Sequence, residues 1–321
     1  MGKNSAVVIG LLISCLVFFS ISEVGVVKAE STIYINQNGE IESTDLIERN
    51  GNLYRFKGNI SAPIVVERNG IIIDGNGYSL QGSGYGCALN LTTSNVTVKN
   101  IHILGWDIGI LGAFNNNTVF NNFITGCNYG ININADYYNI NENYLANNDK
   151  GIYLGRVSSF ILISKNYITN NNRGLEIYSY ASKGGIKIAE NIISFNDLGI
   201  FVTWVYQKLP QDIYRNNFIE NTRQVLTSGP SPVLGKHRAS AWNKDSEGNY
   251  WSDYNGTDDN NDGIGDTPYV INNYDSDIYP LISPLDIETI PEFPSWIILP
   301  LFLMATLSAI IVKKRLFHQR S

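Results

Sequence analysis

The chain has 321 residues, 16% of them charged, with a formal net charge of −6, which excludes a general nucleic-acid binder with a basic face. With 44% apolar residues it is not a disordered chain. Three Cys, three His and two Met exclude a disulfide-stapled mini-domain and a Cys/His zinc cluster.

Residues 1–29 read as a secretory signal peptide. Lys3 is followed by an apolar run from Val7 to Ile21, and Val27, Lys28 and Ala29 stand where a signal peptidase would cut. The alternative is an uncleaved anchor helix. The protein is therefore expected outside the cytoplasm.

From about Ile60 the sequence becomes periodic. An Asn followed by an apolar or aromatic pair recurs at Asn122, Asn143, Asn166, Asn191 and Asn217, in steps of 21, 23, 25 and 26 residues. Gly plus an aliphatic keeps pace at Gly109, Gly130, Gly151, Gly174 and Gly199. Three residues before the last three of these stand Asn148, Asn171 and Asn196, and Cys127 takes that slot one repeat earlier. Between the markers apolar residues alternate over about five positions, which is the period of strands. Two or three strands per repeat describe one coil of a stack in which each strand pairs with its equivalent about 4.8 Å away. Identical positions then form ladders, with aliphatics inside and Asn amides hydrogen-bonding along the stack. Gly is expected to supply the positive φ of sharp corners. The fold class predicted is all-β, a right-handed parallel β-helix of roughly eight coils over residues 60–228, with residues 30–59 capping its open end. Leucine-rich repeats and propellers need a different frame or period.

After a Pro-rich joint at Gly229–Val233, residues 241–288 carry 11 of the 29 acids and one Lys. This composition break marks an acidic C-terminal cap, residues 229–288. Within it Asp258, Asn260, Asp262, Ile264 and Asp266 match the first part of a calcium loop, with Gly263 at the sharp turn and Ile264 offering its carbonyl. Tyr269 stands where a bidentate Glu is expected. A structural Ca²⁺ that fixes the cap, with Trp242, Tyr250 and Trp251 packed over the last coil, is the expectation; a plain acidic turn is the alternative.

Residues 289–321 combine the Pro291–Trp296 segment, an uncharged run from Trp296 to Val312, and Lys313, Lys314 and Arg315. Seventeen uncharged residues are the short limit for a membrane span, and the basic cluster places the tail inside and the body outside. This three-part layout resembles the archaeal PEF-CTERM sorting signal, which implies an archaeosortase as partner. A permanent transmembrane helix is the alternative. Asn59, Asn90, Asn95, Asn116 and Asn255 head Asn-x-Ser/Thr sequons and are glycosylation candidates.

The run Ile71–Gly77, the Asn repeats and the segment Glu247–Tyr254 together resemble the NosD-type β-helix family, built of PbH1 repeats. The resemblance implies the fold, and a role in delivering copper to nitrous oxide reductase in the periplasm. Copper needs soft or imidazole ligands, and after processing only His102, His237, Cys87 and Cys127 remain, with no Met. Copper handling is therefore ranked third, and the two thiols are read as buried core residues.

Other β-helices are polysaccharide lyases and hydrolases. A hydrolase needs two carboxylates about 5–9.5 Å apart. Here Asp149 and Asp197 share a slot two coils apart with Asn172 between, and Glu142 and Glu190 do so with Lys165 between, so no dyad forms. Aromatic residues suit sugar rings better, and Tyr178, Tyr180, Trp204 and Tyr206 make the preferred patch. The reading is a non-catalytic, membrane-anchored surface protein that contacts polysaccharide or surface glycan, or serves adhesion or envelope structure. A carbohydrate-active enzyme on the same scaffold is the alternative.

Overall fold

The computed structural model describes residues 31–155, 158–178, 185–203, 211–228 and 241–287. The short alternating segments form strands of two to five residues, and successive copies of each strand pair in parallel into three sheets. Sheet A has ten strands and runs through Ile64–Val66, Cys87–Leu91, Ile108–Gly112, Tyr129–Ile133, Lys150–Leu154, Arg173–Ile177, Leu198–Val202 and Arg223–Thr227. Sheet B has nine and ends at Asp212–Tyr214; sheet C has eight and runs from Ser79–Gln81 to Tyr250–Trp251. The parallel β-helix expected from the period is thus present. Seven coils carry all three strands, from Ile64 to Ile219, rather than roughly eight, because the terminal strands belong to incomplete coils. No helix among the described residues is long and apolar enough to cross a membrane. The signal helix and the C-terminal span fall outside the described residues.

Register explains the aliphatic repeats. In sheet B, Ile73, Val98, Val119, Ile140, Ile163, Ile188 and Ile213 stack in one column, all fully buried. Leu89, Ile110, Ile131, Ile152, Leu175 and Ile200 do the same in sheet A. Each such side chain contributes about 1.5–3 kcal/mol on leaving water.

From Thr97 onward two of the three corners have fixed length: two residues between sheets B and C, and three between C and A; in the first coil they hold four and five. The third, from A to B, lengthens along the stack, through residues 113–116, 134–137, 155–160, 178–185 and 203–211. From Thr97 onward all the drift of the repeat period is placed at this one corner.

The fixed corners turn on left-handed residues, which are mostly not glycine. Asn100, Asn121, Glu142, Lys165, Glu190 and Arg215 take φ between 51° and 59° at one corner. This corrects the role expected of the marker glycines. Gly109, Gly130, Gly151, Gly174 and Gly199 lie inside sheet A strands and have no positive φ. Their reason is close approach of backbones: a Cβ on Gly151 would lie 2.6 Å from the carbonyl oxygen of Gly174 in the next coil.

The asparagines do stack. Asn122, Asn143, Asn166, Asn191, Asn216 and Asn249 form one buried ladder. Each Nδ2 donates to the Oδ1 of the next, and each Oδ1 also accepts the backbone N–H of the preceding Asn. At Asn166, Nδ2 reaches Asn191 Oδ1 at 3.0 Å, Ile140 O at 2.8 Å and Ser164 O at 3.0 Å. The fifth rung is Asn216; Asn217 instead pairs with Ile192, so the marker at 217 is displaced by one. A second ladder runs through Asn148, Asn171, Asn196 and Asn221, entered from the Cys127 N–H.

Both ends are closed. At the start, Ile33–Ile35 pairs antiparallel with Ile41–Glu42, and Ile47–Asn50 with Leu53–Phe56. At the other end Tyr250–Trp251 pairs parallel with Asn217–Phe218, Trp242 and Trp251 are buried, and Phe218, Trp251 and Tyr269 stack with centroids 4.3 Å apart. The first ladder ends on the buried carboxylate of Asp277, which accepts from Asn249 N, Asn249 Nδ2, Trp251 Nε1 and Tyr279 N. The second passes from Asn221 to Gln224, whose Nε2 donates to Asp253.

Candidate functional site

Of the preferred aromatic patch, Tyr178 is described; Tyr180, Trp204 and Tyr206 lie outside the described residues. Tyr178 directly follows the strand Arg173–Ile177 rather than lying within it, and its N–H donates to Leu154 O.

What the structure adds is a cluster on the outer face of sheet A. Strand register aligns Tyr129, Lys150 and Arg173 in one outward column, and Asn132, Tyr153, Glu176 and Phe201 in the next. Lys150 Nζ lies 2.9 Å from Asp149 Oδ2 and 4.4 Å from the centre of the Tyr129 ring. Arg173 Nη1 lies 2.7 Å from Glu176 Oε2, and its guanidinium lies 5.2 Å from the centre of the Phe201 ring. Tyr129 and Tyr153 meet edge-on at 5.4 Å. Glu176 is only 7% exposed although its column faces outward.

The electrostatics bind this cluster together. The hydrogen bond from Lys150 holds the Asp149 carboxyl below its usual range, helped by Asn172 and Arg173 against burial. Burial would lower the Lys150 ammonium, but Asp149, Tyr129 and Glu176 outweigh it and raise it. The Tyr153 hydroxyl is raised by burial and by Glu176, Tyr129 and Tyr178, with Lys150 opposing. Two cations and two carboxylates thus sit within one another's reach among three tyrosines, with no net charge.

The stacked aromatics of sheet C are scaffold. Phe123, Tyr144 and Tyr167 occupy one slot of sheet C and stack at 5.2 and 5.1 Å. Their faces cover one another, so none is left open to a sugar ring.

The acids follow an alternating order. In the column Asp107, Asn128, Asp149, Asn172 and Asp197, Asn128 donates to Asp107 at 3.1 Å and Asn172 to Asp149 at 2.8 Å. At the corner from B to C, successive coils present Glu142, Lys165, Glu190 and Arg215, and Arg215 pairs with both Glu190 and Glu247. Like charges are thereby kept two coils apart.

The loop at residues 258–266 is held by its own acceptors. Asp258 takes the N–H groups of Asp262 and Gly263, Asp262 takes that of Ile264, Asp266 takes that of Asp259, and Asn260 Nδ2 donates to Asp262. Gly263 has φ +86° at the turn, as the loop pattern requires. Of the sequons, Asn59, Asn95, Asn116 and Asn255 are exposed and Asn90 is half-buried on sheet A. Asn116 donates to Asn95.

The same geometry bears on copper. Cys127 is buried, but Cys87 lies in the outward column of sheet A, not in the core. Burial pushes the Cys87 thiol up to about 12 and that of Cys127 up to about 11, away from the thiolate that binds metal. His102 belongs to sheet C, packs edge-on against Phe123, and has its imidazole pKa lowered by burial. Among the described residues no three His, Cys, Asp or Glu side chains group as a metal site. His237 and both methionines lie outside the described residues. The described residues do not fit copper.

Residues 115–256 match the family model of the periplasmic copper-binding protein NosD. Over 82 residues the chain is 38% identical to a probable ABC transporter binding protein NosD of Stutzerimonas stutzeri. That stretch is 26% of this chain and 17% of the relative, so the likeness spans well under a quarter of the relative's length. The parallel coils, the Asn ladders and the match over residues 115–256 together support a likeness of this solenoid to the NosD-type parallel β-helix.

Proposed function

We propose that the protein is an exported, membrane-anchored β-helix at the outer face of the cell membrane that contacts glycans without catalysis. The observation that carries this is the outer face of sheet A, where Tyr129, Tyr153 and Tyr178 stand among paired charges. Tyrosine offers an apolar face with a polar tip, and the ion pairs and Asn132 offer hydrogen bonds to hydroxyls. The periplasmic description of the family supports export. The anchor is proposed from the uncharged run 296–312 and the basic residues after it. Retention on a glycan array without turnover is the expected result.

The shielded carboxylate of Glu176 favours one second reading, a carbohydrate-active enzyme. Turnover of a glycan by the full chain, abolished in Glu176→Gln, would replace the non-catalytic reading.

A structural Ca²⁺ at Asp258, Asn260, Asp262, the Ile264 carbonyl and Asp266 is part of the proposal. Three carboxylates with two neutral oxygens suit the weak sites of extracellular modules. The Tm should fall when a chelator is added; an unchanged Tm would remove the ion.

A further inference from the structure

The sheet A cluster has a direction and a charge that narrow its ligand. Equivalent side chains repeat along the solenoid axis at about 4.8 Å per coil, close to the length of one sugar unit in an extended chain. Tyr129, Lys150 and Arg173 mark three successive coils, and Asn132, Tyr153 and Glu176 mark the same three beside them. A polymer laid along the axis meets the same two slots at each step. A compact ligand would engage one coil and leave the rest unused.

Both cations are already engaged, Lys150 with Asp149 and Arg173 with Glu176. The column that carries Asp149 adds Asp107 below and Asp197 above. Among the described residues of this face, a polyanion would meet these carboxylates with no cation free of a carboxylate to receive it. Hydroxyls have no such conflict. They can accept from Arg173, whose guanidinium has five N–H donors, and donate to Glu176 and Asp149.

We infer that the outer face of sheet A, centred on Tyr153, Arg173 and Glu176, binds a neutral extended polysaccharide running along the solenoid axis. The inference rests on the glycan-contact reading above and adds the face, the polymer class and the orientation.

The test is affinity electrophoresis of the full-length chain through gels holding hydroxyethylcellulose, galactomannan or polygalacturonate. Retardation by a neutral polymer and not by polygalacturonate is expected. Tyr153→Ala should weaken it at least tenfold, and Tyr153→Phe, which keeps the ring, should retain it. Asn132→Trp fills the face without removing a core group and should block binding even if Tyr153→Ala fails to fold. Ile72→Ala, at a 39% exposed residue on the outside of sheet B, should bind as the wild type does. Retardation by polygalacturonate alone would overturn the neutral class but leave glycan contact standing. Neutral binding that survives both Tyr153→Ala and Asn132→Trp would overturn the face. Retardation by none of the polymers, with an empty glycan array, would remove the parent reading as well.

Discussion

Asn166 shows how much one amide carries. Its side chain is fully buried, donates to three acceptors and accepts twice from Asn143. Asn166→Ala leaves several buried groups unpaired at about 1–3 kcal/mol each, so a loss of more than about 3 kcal/mol is expected in denaturant unfolding. Asn166→Asp keeps the shape but faces three acceptors with a carboxylate. Its folded-state pKa would be raised, so the damage is largest at neutral pH and is partly relieved as acid protonates it; Tm measured across pH reads this directly. Gly151→Ala should also lower Tm, because a Cβ would meet the Gly174 carbonyl at 2.6 Å. The Asn slots were readable from spacing alone. The glycine role was not, since a repeat of Gly reveals no φ, and two adjacent Asn at 216 and 217 hid which of them is the rung.

Strands and corners divide the work between specification and freedom. The alternating aliphatics fix which face turns inward, and the coil is legible in them. The sheet A cluster was missed because each coil contributes a different residue type: the slot before the marker Gly holds Tyr129, Lys150 and Arg173, and the slot two after it holds Asn132, Tyr153 and Glu176. Listing those two slots coil by coil would have found it. The cap elements respond to pH in opposite senses. Burial raises the carboxyls of Asp275 and Asp277, despite the hydrogen bonds they accept. Their ionisation therefore costs stability, a cost that starts above the unfolded value of 3.8 and grows as pH rises. Asp74 is the reverse. Burial would raise it, but Asn100, the Asn76 N–H, Lys99 and Arg55 outweigh that and lower it. Its stabilising share is present above its unfolded value and is lost as pH falls through the folded one. Mild acidification should strengthen hydrogen-exchange protection around Trp251 and Asn249, and stronger acid should weaken it around Ile73. The same response at both ends would contradict these assignments.

Across the whole molecule, nearest-neighbour stacking makes stability a sum over coils, and the variable corner lies outside that sum. Replacing residues 178–185 by the sequence of residues 134–137 should leave the strand register intact. The expected outcome is an unchanged far-ultraviolet circular dichroism spectrum with a Tm within a few degrees of wild type. The two Asn ladders also have a polarity. Along each ladder every Nδ2 donates to the Oδ1 of the next coil while also donating to a carbonyl of the preceding one, and the rows end on a carboxyl oxygen of Asp277 and, through Gln224, of Asp253. Each row thus ends on a carboxyl group where a further coil would have supplied an amide. A coil from another copy, stacked on that end, would meet no amide with which to continue either row. The same two aspartates that complete the last rung thus interrupt the repeating amide pattern of an otherwise extendable architecture.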